Sequence, residues 1–168
     1  MGVRSAGSKR TKKSALSKAN GAPGDNENCV KVVMAWFMRE YGYDVKASAG
    51  KSLVSAEQAT ETLVDDRGRH PVWHTPNDDQ GKKRWRDIES ELGALPDGAY
   101  GLLRYRAIAS FAHVTGWRKI EGRIEIMEGQ QDVQSVYEGL NKVVAGSLKW
   151  VDLSGFKPTA ATAVIVRR

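Results

Sequence analysis

An amide bond can be broken by a thiolate, an imidazole and a carboxylate held together, and this chain has one cysteine, three histidines and many acids to supply them. Cys29 falls at the first turn of a helix read from apolar spacing. Unpaired backbone N–H groups and the positive end of the helix dipole favour thiolate over thiol there. Such a nucleophile needs a base, usually imidazole, oriented by a third polar group. Cys29 has no neighbour of that type in the sequence, so the base must come from elsewhere in the fold. His70 and His74 belong to a stretch broken by Pro71 and Pro76, where neither ring is well fixed. His113 lies mid-strand in Phe111-Ala112-His113-Val114, a rigid position, and a hairpin turning around Ile120-Glu121-Gly122 follows it. Pairing Arg118 with Arg123 across a four-residue loop sets His113 opposite Glu128. Opposed side chains on paired strands have Cβ atoms about 4.5–5.5 Å apart, close enough for a carboxylate to hold the ring. A slip of one residue would send the two to opposite faces.

The elements that must position these groups follow from the same sequence. Val30, Val33, Met34, Phe37, Met38 and Tyr41 form the stripe of an amphipathic helix over 29–41, with Asp25, Asn26 and Asn28 supplying cap chemistry before it and Gly42 ending it. Residues 55–64 suggest a short helix through Ala56, Ala59 and Leu63, and 82–92 a further one with Trp85, Ile88 and Leu92 inward. Residues 65–81 read as a long surface loop. Beyond the Pro96-Asp97-Gly98 turn, short β-branched and aromatic runs predict strands at 100–105, 109–119, 123–128, 148–153 and 162–167. Val133, Val136, Tyr137, Leu140 and Val144 predict a helix between the third and fourth. Helix first and antiparallel sheet after is the pattern of an α+β domain.

Composition sets the outer bounds. With 168 residues, 40% hydrophobic and 27% charged, the chain has the size and make-up of one globular domain. No apolar run approaches the ~18 residues of a membrane span, and the N-terminus lacks a secretory signal, so a soluble protein acting in the cytoplasm is expected. One cysteine excludes an internal disulfide and a cysteine-cluster metal site. The net charge of +6 comes wholly from Arg4, Lys9, Arg10, Lys12, Lys13 and Lys18, because the remainder of the chain balances its acids and bases. Residues 1–25 therefore read as a flexible basic tail or linker, able at most to touch phosphate non-specifically, and 26–168 as the domain.

Other groupings carry less. His70 and His74 with Asp78 and Asp79 invite a metal site, but Pro71 prevents the helix that would align them. Gly50-Lys51-Ser52 resembles the end of a phosphate-binding loop, yet Val45 stands where the motif requires glycine. Trp73, Trp85, Trp117 and Trp150 lack an accompanying basic cluster and read as core or groove walls. No metal and no cofactor is implied.

In order and spacing, a set of short motifs resembles the papain-fold toxin domains, which include glutamine-deamidase-like domains of polymorphic toxins and domains attached to phage minor head proteins. The motifs are Asn28-Cys29-Val30 opening a helix that ends Arg39-Glu40-Tyr41-Gly42-Tyr43-Asp44-Val45, then Pro96-Asp97-Gly98, the strand carrying His113, Glu128-Gly129-Gln130, and Lys149-Trp150-Val151-Asp152. The resemblance spans most of residues 26–166. It implies a papain-like fold with the N-terminal catalytic helix packed on an antiparallel sheet. Cys29 would be nucleophile, His113 base and Glu128 orienting acid, with Asn28 and Gln130 in support near an oxyanion site. Three positions depart from the pattern: Val32 replaces a second cysteine found in many relatives, Ala112 stands where glycine often precedes the histidine, and Glu128 replaces aspartate.

The resemblance implies a cysteine hydrolase acting as a toxin or effector on carboxamide or peptide bonds of a target protein, with glutamine deamidation ahead of proteolysis. An immunity protein, or a phage or capsid carrier, would be its partner. The alternative is a catalytically inactive phage- or toxin-associated domain that keeps the fold for binding, its basic tail contacting nucleic acid or a capsid. The hydrolase reading makes residues 1–24 dispensable for activity.

Overall fold

A computed structural model of the protein describes residues 18–168, apart from 23, 26, 76–84, 130–132 and 145. Helix α1 (Cys29–Glu40) and the short α2 (Ala56–Thr60) precede α3 (Trp85–Gly93). Strands β1 (Tyr100–Arg106), β2 (Ala112–Ile120) and β3 (Arg123–Met127) follow, then α4 (Val133–Leu140), β4 (Lys149–Asp152) and α5 (Ala160–Arg167). The strands form one antiparallel sheet in the order β3-β2-β1-β4, so the protein is α+β.

Alternation along the strands divides the apolar residues between two cores, as pleating requires. Leu102, Val114, Met127 and Val151 face α1, with Ala56 and Ala59 of α2 and Val166 of α5 in the same cluster. Leu103, Tyr105, Trp117, Ile126 and Trp150 face the other way, onto Ile88 and Leu92 of α3 and Val136 and Leu140 of α4. The sheet is thus covered by helices on both faces. No helix among the described residues is long and apolar enough to cross a membrane.

Helix α1 is buried on nearly every side: Lys31, Val32, Ala35 and Trp36 are enclosed along with Val33, Met34, Phe37 and Met38 of the predicted stripe, while Val30 is half-buried and Tyr41 exposed. The reason is α5, which replaces the strand expected at 162–167. Thr159 and Thr162 form a capping box at its start, and Thr162 and Val166, four residues apart, turn inward. The β-branched residues that suggested a strand are instead a helix face covering α1. Lys31, buried within this helix, donates to Ser48 Oγ at 3.0 Å and the Ala49 carbonyl at 2.7 Å.

The β2–β3 hairpin also differs from expectation. Ile120, not Arg118, pairs with Arg123, and the turn is the two residues Glu121 and Gly122 at φ 51° and 75°. Both central residues are left-handed, the type I′ geometry that matches strand twist. The register is displaced by two residues, so the expected faces are preserved. β2 begins at Ala112 rather than 109, because Ala109 (φ 59°) turns the chain in the β1–β2 connection.

The packed body starts earlier than the boundary expected at residue 26. Ala19 is fully buried in the α1-side core, and the Ala47 N–H donates to its carbonyl at 2.7 Å. Residues 1–17 lie outside the described residues.

Candidate active site

Helix α1 runs alongside β2 in the same direction. Its Cys29 end meets His113 and Val114, Trp36 sits over Gly116, and Glu40 accepts from Arg118 Nη2 at 2.8 Å. The two elements keep pace because eleven helical rises and five strand rises both span about 16 Å. A Cβ on Gly116 would stand 2.8 Å from the Trp36 ring, so this glycine allows the helix to lie close to the strand. That approach brings a helix N-terminus to the start of β2.

Asn28 precedes the helix but does not cap it with its side chain. Its Nδ2 donates instead to Asn20 Oδ1 at 3.1 Å and to the Ser48 carbonyl at 3.2 Å, and the residue is fully buried. The sulfur of Cys29 takes up the space at the helix start. The His113 ring and the backbone N–H groups of Val114 and Val30 act on it to favour the thiolate. Cys29 is half-buried.

His113 and Glu128 are joined by a 2.7 Å bond between Nε2 and Oε2, and both side chains are almost wholly enclosed (6% and 3% exposed). With Nε2 committed to the acid, Nδ1 is the ring nitrogen left for the sulfur. Glu128 Oε1 accepts from the Gly129 N–H at 2.9 Å, which aims the carboxylate. The two-residue register shift makes Thr115, not His113, level with Glu128, and Thr115 Oγ1 donates to the Met127 carbonyl at 2.6 Å. The longer reach of glutamate spans the resulting diagonal. Tyr105, the partner of His113 on β1, packs edge-on against the imidazole with ring centroids 5.8 Å apart.

Burial pushes the Cys29 thiol up more than any other single influence. The His113 hydrogen bond and charge, with the Val114 and Val30 N–H groups, together outweigh it and hold the thiol below its ordinary value. For His113, burial pulls the ring down, but hydrogen bonds to Cys29 and Glu128 and the charges of both raise it to about 9. Both shifts favour the thiolate–imidazolium form of the pair. Burial, then the charges of Glu128 and Cys29, raise the Tyr105 hydroxyl, which stays neutral.

Of the residues selected from the sequence, the structure brings Cys29, His113 and Glu128 into one connected set. Asn28 adjoins them, but both hydrogens of its amide are committed, so it positions the helix start rather than donating to an oxyanion. Gln130 lies outside the described residues. His70 contacts the Leu63 carbonyl at 2.8 Å and His74 stacks on Trp150, both away from this set. Among the described residues no group of three or more His, Cys, Asp or Glu is placed to hold a metal ion. Sequence reasoning missed Tyr105, which the β1–β2 pairing alone would have indicated, and Asn20, assigned to the tail. No protein-family model, curated protein or solved structure matches this chain.

Proposed function

We propose that this protein is a cysteine-dependent amide hydrolase with a papain-like arrangement, acting on carboxamide or peptide bonds of a target protein. The observation that carries this reading is the chain of contacts from the half-buried Cys29 sulfur through His113 to Glu128, with the sulfur at a helix start.

The chemistry follows from the placement of one proton. The Cys29 thiolate attacks the amide carbonyl carbon, and the oxygen takes the negative charge. The N–H of Cys29, which like every helix-start N–H has no partner within the helix, is suited to receive that oxygen. Imidazolium Nδ1–H of His113 then protonates the departing nitrogen, which leaves as ammonia from a glutamine side chain or as an amine from a peptide bond. Neutral His113 takes a proton from water as that water attacks the thioester. Carboxylic acid is released and the thiolate–imidazolium pair is restored. Glu128 holds the ring in the tautomer and orientation both steps need. Amide and water are the only reactants, so no cofactor is required.

Deamidation as the preferred outcome, and the toxin or effector role with an immunity or phage partner, draw their support from the motif resemblance. The binding-domain alternative gives no role to a histidine and a glutamate enclosed together beside the cysteine, a costly burial of polar groups. The test compares wild type with Cys29→Ala on proteins of a cell lysate, followed by mass spectrometry for glutamine-to-glutamate conversion and for new amino termini. Changes that require Cys29 and are blocked by iodoacetamide are expected. A lysate processed identically by both proteins overturns the hydrolase reading.

A further inference from the structure

The contacts that begin at Cys29 do not end at Glu128; they return to the helix start. Glu128 Oε1 accepts from the Gly129 N–H, and the Gly129 carbonyl accepts from Asn20 Nδ2 at 3.0 Å. Asn20 Oδ1 accepts from Asn28 Nδ2 at 3.1 Å, and Asn28 directly precedes Cys29. The circuit closes through the sulfur, His113 and the acid. Asn20 is not adjacent in the chain to either the helix or the hairpin, and lies in the segment the sequence assigned to a flexible tail.

The acid needs such a tether. Glu128 follows the last residue of β3, so no ladder pair fixes its backbone. Among the described residues, the groups that hold this turn include His113 itself, Thr115 at the Met127 carbonyl and Asn20 at the Gly129 carbonyl. An asparagine amide suits the position because it donates to one carbonyl and accepts from another amide at once, uncharged, in a buried place. Asn20 is itself fixed: its Oδ1 also accepts from the Ala22 N–H at 3.0 Å, and the flanking backbone pairs with Ala47 on both sides. Gly21 is required there, since a Cβ would come within 2.6 Å of the Ala47 carbonyl oxygen.

We propose that Asn20 is a positioning residue of the Cys29–His113–Glu128 site, tying the acid-bearing turn to the nucleophile-bearing helix start. It acts through Glu128 and Asn28 and touches no reacting atom. The proposal rests on the hydrolase reading of the site, but its test separates the two.

The full chain, Asn20→Ala, Asn20→Asp and Gly21→Ala are compared by ultraviolet titration of the Cys29 thiolate, by the pH profile of its alkylation with iodoacetamide, and by thermal unfolding. Asn20→Ala is expected to raise the apparent thiol pKa and slow alkylation near neutrality by about tenfold, the equivalent of one pKa unit. Asn20→Asp keeps the acceptor for Asn28 but loses the donor to Gly129, so it is expected to show the same shift. Gly21→Ala leaves the amide in place but displaces the segment, and gives a shift even where Asn20→Ala fails to fold. A lowered melting temperature with an unchanged thiol profile in the folded variants assigns Asn20 to stability alone and overturns the proposal. A depressed thiol in wild type that all variants share overturns it without touching the hydrolase reading. An ordinary thiol in wild type overturns both.

Discussion

At the scale of single residues, the proton shared by Cys29 and His113 governs two different rates. Alkylation by iodoacetamide needs only the thiolate, which the site favours at pH values where an ordinary cysteine is protonated. Amide hydrolysis also needs the imidazolium, which is lost above about pH 9. Hydrolysis should therefore fall on the alkaline side of about 9 while alkylation stays fast, and both should fall on the acid side as the sulfur takes up a proton. Measuring the two profiles on one preparation checks this; parallel alkaline limbs would count against imidazolium as the general acid. Glu128→Gln removes the charge that helps raise His113, so the alkaline limb of hydrolysis should move below about 9. The rate should fall, by at most the about 10²–10⁴ that general acid–base catalysis by the ring contributes. His113 and Glu128 were both legible as residues, since a strand-borne histidine followed by a hairpin restricts where an acid can lie. The exact pairing was not, because a two-residue type I′ turn with Glu121 at positive φ is an uncommon choice for a non-glycine residue.

At the scale of elements, the site depends on α1 lying flat along β2. Gly116→Ala places a methyl 2.8 Å from the Trp36 ring and should cost about 1–3 kcal/mol by overpacking. Because the helix carries Cys29, the same substitution should slow alkylation, and denaturant unfolding with iodoacetamide kinetics reads both effects. A lowered midpoint with unchanged thiol reactivity would show that the helix start is held independently of the helix body. The apolar stripe of α1 was plain from its 3.6-residue period. Its second buried side was not, because that burial comes from α5. Thr162, Val164, Ile165 and Val166 are strand-forming by local preference, and only packing against α1 together with the Thr159–Thr162 capping box makes them helical.

At the scale of the whole molecule, the sheet has a helical layer on each face, and the segment at Ala19–Ala22 joins the α1 side to the β3 end of the site. This reverses the expectation that residues 1–24 are dispensable. A chain starting at Lys18 should keep the depressed thiol pKa and the melting temperature of the full protein. One starting at Asp25 should lose both, since it discards the buried Ala19 and the Asn20 bonds to Asn28 and Gly129. Thiolate titration and thermal unfolding of the two truncations decide the matter, and equal behaviour would remove the segment from the folded site. The basic residues ahead of Lys18 can be tested for phosphate contact by comparing the full protein with the chain that starts at Lys18.

By itself, the sequence determined the mixed α+β class, the helix that begins at Cys29 and the strand that carries His113. Each of these rests on local periodicity or on a residue type with few alternatives. Only the tertiary structure decided that α5 is a helix, that Asn28 spends its amide inside the protein, and that Asn20 reaches the turn after Glu128. Those outcomes are set by groups distant in the chain competing for the same buried hydrogen bonds and the same apolar surface. No local pattern carries that information.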